Sequence, residues 1–260
     1  MTANYTYAHS TDDLSSTFSD STQGASAGIG NLGYLDPRNP RLDWGSSDFD
    51  IRHRLTVSPI YELPFFKNGT GFKRQALGGW TLVGVFTVRT GTPFSVFDTT
   101  DSLNAGAGYG VPRYLPLTPI TSFTAHSPQN VGPNQYTILT LPAANETPFD
   151  PTLGISDFGP YPGNMTGRNM FRGPGAWNFD AAITKSFALT ERIKLEFRAE
   201  GFDVLNHHNF YVLETNLDAA NFAGVPITVS ALKGGLGTNN VTGTNHDERR
   251  FGQFALRLTF

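Results

Sequence analysis

Histidine and acidic side chains, which can bind metal ions or move protons, occur in two short groups in the C-terminal third of the chain. One group is His207-His208 and the other is His246-Asp247-Glu248. Imidazole and carboxylate groups suit several divalent ions, and both groups would lie on external loops of the fold predicted below. Neither group forms an established metal motif, so we interpret both as solvated loop residues and predict no metal site and no cofactor.

A second set of acidic residues lies in a polar stretch near the N-terminus. Their spacing does not match the calcium-binding loop of an EF-hand, so we expect a solvated loop. The chain has no Gly-rich phosphate loop, no nucleophile elbow and no zinc-protease motif, and we therefore expect that it is not an enzyme. The acidic residues are Asp12, Asp13, Asp20, Asp36, Asp43, Asp48 and Asp50.

The composition favours an all-β chain. Only 16% of the 260 residues are charged and the net charge is −3, which argues against a nucleic-acid partner. The 21 Phe and 9 Tyr, together with 28 Gly and 17 Pro, favour strands joined by long loops. Cysteine is absent, which excludes disulfides and thiolate chemistry. No apolar run reaches the roughly 20 residues of a transmembrane helix. Residues 1–9 lack the features of a signal peptide. Because an outer-membrane protein must be exported, either the export signal lies further upstream in a longer protein or the chain is not such a protein.

The end of the chain predicts a strand with one apolar and one polar face, because successive side chains of a strand point to opposite sides. A transmembrane β-barrel requires this alternation, since lipid surrounds its outer face. The last strand of a soluble β-domain is the alternative. The alternating apolar residues are Phe254, Leu256, Leu258 and Phe260.

The same alternation predicts further strands in residues 2–9, 51–63, 80–97 and 177–184. Segment 192–206 is also predicted as a strand, although its Glu, Lys and Arg residues favour helices as well. Its charges share one face only at a period of two residues, because positions two apart in a helix lie about 200° apart.

The connections between these strands alternate between long and short. Residues 98–175 and 207–248 are predicted mainly as loop, with Gln135–Leu141 as a candidate strand. Transmembrane barrels have short periplasmic turns and long external loops. If the final strand ends on the periplasmic side, every long loop is external.

This architecture assigns roles to two tryptophans and to the charged strand faces. Trp80 and Trp177 each begin a strand, where membrane barrels carry aromatic girdles, and we predict that both are interfacial. Burial in a soluble core is the alternative. The residues predicted to line the barrel interior are Arg52, Arg54, Arg89, Lys194, Glu196, Arg198 and Glu200.

Several segments resemble the C-terminal barrel of TonB-dependent outer-membrane receptors, in particular the Oar-like group. They are DIRHRL at 50–55, GWTLVG at 79–84, RTGTPF at 89–94, NFDAAITKSF at 178–187, LEFRAEGFDVLNHHNF at 195–210 and FGQFALRLTF at 251–260. The resemblance implies ligand uptake across the outer membrane, driven by the TonB coupler. It also implies that the residues ending at Phe260 are an assembly signal, read by the barrel-assembly machinery.

The receptors of this family have a plug domain, a TonB box and about 22 strands, whereas this chain shows about six to ten strands and neither N-terminal part. Fewer than about eight strands cannot close a membrane barrel. We therefore predict that residues 1–260 are the C-terminal part of a barrel domain, an all-β antiparallel transmembrane segment with long external loops. Its expected partners are outer-membrane lipid, the assembly machinery, an unknown ligand and, through the missing parts, TonB. Two alternatives stay open: a small self-contained structural or adhesive barrel, and a secreted carbohydrate-binding β-sandwich.

Overall fold

A computed structural model describes residues 1–13, 15, 39–65, 77–98, 113–114, 124–132, 135–143, 165–190, 192–212, 216–217, 227–233 and 250–260. In these residues the chain forms strands and one turn of 3-10 helix, Pro40–Asp43. The strands are, in chain order, β1 Thr2–Tyr7, β2 Thr11–Asp12, β3 Gly45–Ser46, β4 His53–Ser58, β5 Ile60–Glu62, β6 Trp80–Arg89, β7 Pro93–Phe94, β8 Phe97–Asp98, β9 Arg113–Tyr114, β10 Thr124–Gly132, β11 Gln135–Leu141, β12 Phe171–Arg172, β13 Ala176–Ala188, β14 Lys194–Phe202, β15 Phe210–Val212, β16 Asn216–Leu217, β17 Ile227–Lys233 and β18 Phe251–Thr259.

The main element is a large antiparallel sheet with the strand order β1-β4-β6-β13-β14-β18, in which β5 continues β4 along β6. Each strand of this sheet pairs with the next strand of the same sheet along the chain, while short strands of other sheets lie in the connections between them. The strands predicted in residues 2–9, 51–63 and 177–184 and at the end of the chain are confirmed as members of this sheet, as is the first part of the strand predicted in residues 80–97. The charged segment is also confirmed as a strand and forms β14. Among the described residues, no helix is both long and apolar enough to cross a bilayer.

Pro59 divides β4 from β5 without changing the register of the pairing with β6. Proline has no N–H to donate, so the ladder is interrupted there. The Pro59 carbonyl still accepts a hydrogen bond from the Gly84 N–H at 3.0 Å. The proline thus removes one bond of the ladder while the strand pairing continues on both sides of it.

The predicted alternation of connection lengths is confirmed. Residues 63–79 and 189–193 join strands at one end of the large sheet, and residues 8–52, 90–175 and 203–250 join strands at the other end. Because neighbouring strands are antiparallel, every long connection lies at the same end. We call this the long-loop end, and the opposite end the short-turn end.

Two sequence predictions about the connections were wrong. Residues 98–175 and 207–248 contain strands that build a second sheet of order β10-β11-β17-β15, so they are not mainly irregular in the described part. The candidate strand at Gln135–Leu141 is confirmed and is central in this sheet. The strand predicted to continue from residue 89 to 97 instead leaves the large sheet, and β7 pairs with β12.

The buried apolar side chains lie outside the large sheet. They belong to β7, β11, β12 and the residues after β7, all within the connection between β6 and β13. In the described part of the chain they are Phe94, Val96, Ile138, Leu139, Leu141 and Phe171. The hydrophobic core therefore sits at the long-loop end, while the large sheet keeps most of its side chains partly exposed.

Candidate functional site

The large sheet has one apolar and one polar face, because its strands pair in register. Tyr5 pairs with Leu55, Leu55 with Val88 and Val88 with Trp177, so these four side chains form one row across neighbouring strands. Rows closer to the short-turn end repeat this composition. The other large apolar residues of this face are Val57, Tyr61, Leu82, Phe86, Phe179, Ile183, Phe187, Leu195, Phe197, Phe254, Leu256 and Leu258.

Trp80 and Trp177 lie on the apolar face at opposite ends of the sheet. Trp177 is at the long-loop end, where its ring stacks on His207 with centroids 3.8 Å apart. Trp80 is at the short-turn end and meets the Phe197 ring edge-on, with centroids 6.2 Å apart. A sheet that crosses a bilayer meets the membrane–water interface near these two levels. The interfacial role of both residues stays a prediction.

Lys185 is a charged residue on the apolar face that the sequence analysis did not single out. It pairs with Trp80, and its ammonium nitrogen lies 5.1 Å from the Trp80 ring centroid and 4.9 Å from that of Phe187. The ammonium also donates a hydrogen bond to the Gly78 carbonyl at the short-turn end. A lysine can lie along apolar rings in this way while its charge reaches the end of the sheet. The interruption of the apolar alternation at residue 185 was the available sequence signal.

Strand β18 forms one edge of the large sheet and exposes the apolar residues predicted for it. Phe254 is 81% exposed and Phe260 is 93% exposed. The Phe254 ring also stacks on Phe197 of β14, with centroids 6.3 Å apart. The assembly-signal role of Phe254, Leu256, Leu258 and Phe260 stays a prediction. Among the described residues, β18 pairs only with β14.

Charged residues on β4, β6 and β14 share the polar face. Arg54 lies directly opposite Arg89, which places two like charges side by side near the long-loop end. Such a pair is destabilising unless water or an anion screens it. The residues of the predicted interior set that lie on this face are Arg54, Arg89, Lys194, Glu196, Arg198 and Glu200.

The charges of β14 have partners at the sheet edge. Glu196 is opposite Arg257, and Glu200 accepts a hydrogen bond from Gln253 and forms an ion pair with Arg198. The polar face is therefore internally compensated near β18. Whether it lines a barrel interior stays a prediction.

Small residues occupy the middle row of the apolar face. A Cβ placed on Gly84 would lie 3.2 Å from Cε2 of Phe179, so the phenylalanine ring covers the glycine backbone. On β14, a Cβ on Gly201 would lie 2.5 Å from Cγ1 of Val204. Neighbouring side chains thus fill the space that larger residues would take. The row consists of Pro59, Gly84, Ala181, Gly201 and Gly252.

A buried carboxylate, Asp50, joins segments at the long-loop end. Its side chain is 1% exposed and accepts hydrogen bonds from the Ser10 N–H at 3.1 Å, from Arg172 and from His9 Nδ1 at 3.1 Å. Burial alone raises the pKa of Asp50, but these hydrogen bonds and the Arg172 charge outweigh it and lower the pKa to about 2. Arg52, predicted to line the interior, lies just before β4 with its Nε 3.5 Å from Asp50 Oδ2.

A second cluster surrounds Arg168, whose side chain is 5% exposed. Its guanidinium group donates to the carboxylate and carbonyl of Asp12, to Ser15 Oγ at 2.6 Å and to Asp48 at 3.3 Å. Asn169 also donates to Asp48, at 2.6 Å. Burial raises the pKa of Asp12, but the hydrogen bonds from Ser47, Arg168 and Ser15 and the charge of Arg168 lower it by a larger amount. The pKa of Asp12 therefore lies below its ordinary value. The two clusters connect the first and second long connections.

The interpretation of the acidic stretch as a solvated loop was wrong for two of its residues. Asp43 and Asp50 are buried, whereas Asp20 and Asp36 lie outside the described residues. Burial of Asp50 could not be predicted because its partner Arg172 lies 122 positions away. The available signal was the presence of two arginines, Arg168 and Arg172, in a connection otherwise rich in Gly, Asn and Pro.

The histidine pair also lies in ordered structure. The segment after β14 folds over the beginning of β13. There the Asn209 side chain accepts a hydrogen bond from the Trp177 N–H at 2.8 Å and donates one to the Trp177 carbonyl at 3.2 Å. Asp203 accepts from the His207 N–H at 3.0 Å and has a φ of 45°, a backbone conformation that Asp tolerates. No metal-binding group of three His, Asp or Glu is found in the described part. The sequence 246–248 lies outside the described residues.

The family described as outer membrane beta barrel domain matches residues 1–240 of the chain. The matched range contains most of the large sheet and the connections at both of its ends. No curated protein and no solved structure matches the chain.

Proposed function

We propose, for a chain that belongs to the outer membrane beta barrel domain family, that it is the C-terminal part of a TonB-dependent receptor that takes up a ligand. The protein is located in the bacterial outer membrane, and its antiparallel sheet is a transmembrane β-barrel segment with long loops at one end. The receptor and its transport activity are the proposed part. Transport of a ligand, and not catalysis, is the proposed role.

The open strand order of the large sheet is the observation that supports this proposal. In the described residues β1 and β18 are both edges, and between them lie too few strands to close a barrel. Unpaired backbone groups are costly in lipid. In the proposal, other strands of the receptor pair with both edges and complete the barrel. The resemblance of several sequence segments to Oar-like receptors also supports the proposal.

The two faces of the sheet give the proposal its orientation. The apolar face contacts outer-membrane lipid, and the polar face with Arg54, Arg89 and Glu200 faces the water-filled interior. The long-loop end is external, where the clusters around Asp50 and Arg168 hold the loops together. The TonB coupler acts on parts of the receptor outside this sheet.

Hydrogen exchange at the two sheet edges tests the proposal. In the isolated chain, reconstituted in lipid vesicles, the outward-pointing amides of β1 and β18 should exchange much faster than those of β13. In the longer receptor the same amides should be protected, because neighbouring strands pair with them. Equal protection of β1, β13 and β18 in the isolated chain would show a closed barrel and would refute the receptor proposal.

The second candidate is a small self-contained barrel with a structural or adhesive role. It is favoured by the family match, which extends over residues 1–240 and so covers most of this chain. The exchange experiment separates the two, because a self-contained barrel has no open edge. A secreted β-sandwich does not fit the outer membrane beta barrel domain family.

A further inference from the structure

Two arginines lie side by side on the polar face at the long-loop end, Arg54 of β4 and Arg89 of β6. The Thr90 N–H donates a hydrogen bond to the His53 carbonyl at 3.0 Å, so the neighbouring pair of residues is the hydrogen-bonded one. Arg54 and Arg89 therefore form a non-hydrogen-bonded pair, in which the opposite Cβ atoms are only about 4.5–5.5 Å apart. Arg54 is exposed and Arg89 is partly exposed, so both guanidinium groups can contact one small anion in the water at this face.

The side chains around this arginine pair form hydrogen bonds but carry no negative charge. In the same row, Thr6 of β1 lies beside Arg54 and Ala176 of β13 lies beside Arg89. The next row of the polar face consists of Asn4, Thr56, Thr87 and Asn178. Hydroxyl and amide groups can donate hydrogen bonds to the same anionic oxygen atoms that a guanidinium group binds.

The ion-paired carboxylates at the long-loop end bind other arginines. These ion pairs are Asp12 and Asp48 with Arg168, and Asp50 with Arg52 and Arg172. On the polar face of β13 the first acidic residue is Asp180, which lies four positions and so about 13 Å beyond Ala176. Its carboxylate accepts a hydrogen bond from the Asp203 N–H at 2.9 Å. In the described part of the chain, neither Arg54 nor Arg89 forms an ion pair, so no carboxylate there compensates their two charges.

We propose that Arg54 and Arg89 bind an oxyanion group, a carboxylate or a phosphate, of the ligand that the receptor takes up. A guanidinium group presents its N–H donors in a plane that matches the oxygen atoms of either group. One anion between the two arginines also removes the repulsion between their like charges. In the proposed orientation the pair lies at the external end of the water-filled interior, where a ligand enters. The inference rests on the proposed function and adds the chemical class of the ligand.

Isothermal titration calorimetry of the full chain, folded in detergent micelles, tests the proposal with inorganic phosphate and citrate as probes. Sodium chloride keeps the ionic strength constant, so that general screening of charge does not change during a titration. At least one probe should bind, and the probe that binds more tightly identifies phosphate or carboxylate as the preferred group. Arg54→Gln and Arg89→Gln should each weaken binding about tenfold, because each removes charge-assisted hydrogen bonds to the anion.

Arg192→Gln is the matched control, because it removes the same charge from the short turn between β13 and β14, at the opposite end of the sheet. It should leave the affinity for both probes unchanged. Thermal unfolding supplies a second measurement. Without a probe, Arg54→Gln should be more stable than the wild type at low salt, since one of two like charges is gone. The bound probe should raise the melting temperature of the wild type but not that of Arg54→Gln.

The proposal would be overturned if neither probe bound, or if Arg192→Gln weakened binding as much as Arg54→Gln and Arg89→Gln, since binding would then depend on net charge alone. Binding by this chain that is lost in the proposed longer receptor would also overturn it, because an acidic side chain of another segment would then occupy the arginine pair. None of these results changes the hydrogen exchange of β1 and β18, which tests the receptor itself. Conversely, protected edges in the isolated chain would refute the receptor without affecting anion binding.

Discussion

Asp50 contributes to the stability of the long-loop end only while its charge is paired, because leaving a buried carboxylate unpaired is strongly destabilising. Replacing Arg172 by Met removes a charge and the hydrogen bonds to the Asp50 and Gly91 carbonyls, which measure 3.0 and 3.2 Å. Since Arg172 is partly exposed, we expect a loss of about 2–3 kcal/mol in the free energy of unfolding, measured by urea titration in vesicles. The exposed Arg192, in the short turn between β13 and β14, supplies the control Arg192→Met, which should cost less than about 0.5 kcal/mol. Equal costs for the two variants would contradict the burial argument.

The pKa of Asp50 predicts how this cluster responds to acid. Its folded pKa of about 2 lies below the ordinary value of 3.8, so its contribution to stability is present above pH 3.8 and is lost as the pH falls towards 2. We expect the thermal stability of the wild type to exceed that of Asp50→Asn at pH 7. This difference should shrink as the pH falls through that window. A difference independent of pH would show that the charge of Asp50 is not responsible.

At the residue scale, the local sequence contains information about the position of a side chain within its own strand. The placement of Trp80 and Trp177 at opposite ends of one face follows from their positions at the start of strands. Lys185 and Asp50 were missed because their environments depend on rings and arginines from other segments. Local periodicity does not contain those contacts.

At the scale of elements, the alternation of faces makes adjacent residues of one strand respond differently to the same charge. Ile183 lies on the apolar face of β13, and Ala182 points to the polar face beside it. We expect Ile183→Arg to cost about 2–4 kcal/mol in vesicles, as for an arginine at mid-membrane depth, because the charge enters lipid. Ala182→Arg should cost about 1 kcal/mol or less, because its charge faces the polar side and lies opposite Glu200. Equal costs would refute the proposed lipid contact.

The crossing of the segments around β7 and β12 depends on the absence of a side chain at Gly91. An added Cβ would overlap the Gly173 carbonyl, so Gly91→Ala forces backbone movement and should cost about 1–3 kcal/mol. Gly167→Ala is the control, because nothing lies within 4 Å of a Cβ at that position. Faster proteolysis within the long connections of Gly91→Ala, but not of Gly167→Ala, would confirm the close approach. Similar cleavage of both variants would contradict it.

The strands of the large sheet could be predicted because each carries its own period of two, and β14 shows that this period prevails over helix-favouring composition. The second sheet, apart from β11, could not be predicted from such a period. Strand β17 pairs with β11 although a long stretch of chain separates them, so the contact that makes β17 a strand is absent from its local sequence. Strand β10 pairs with β11 next to it in the chain, but its register is irregular, and its Pro, Gly and Asn residues favour loop when they are considered alone.

At the scale of the whole molecule, the apolar residues of β18 give a prediction about assembly. Deleting Phe260 from the proposed longer receptor should reduce its insertion into the outer membrane, measured as the folded fraction in heat-modifiability gels. Arg257→Ala changes the other face of the same strand and should leave insertion unchanged. Normal insertion after deletion of Phe260 would refute the assembly-signal role.

Buried contacts and strand pairing lie in different parts of the molecule. Its core and its buried ion pairs lie at the long-loop end, while the large sheet keeps both faces open for lipid and water. Composition and alternation were sufficient to predict the large sheet, since most of its side chains are apolar or polar according to the face on which they lie. The core and the ion pairs at the long-loop end depend on contacts between residues far apart in the sequence, and only the structure shows them.

The neighbour-to-neighbour order of the large sheet also bears on how such chains change during evolution. Because each strand pairs only with the strands before and after it, an ancestral gene can gain or lose one hairpin by duplication or deletion without rewriting any other pair. Barrels of different size can therefore arise from one such sheet by adding or removing hairpins, while the terminal strand remains the last strand.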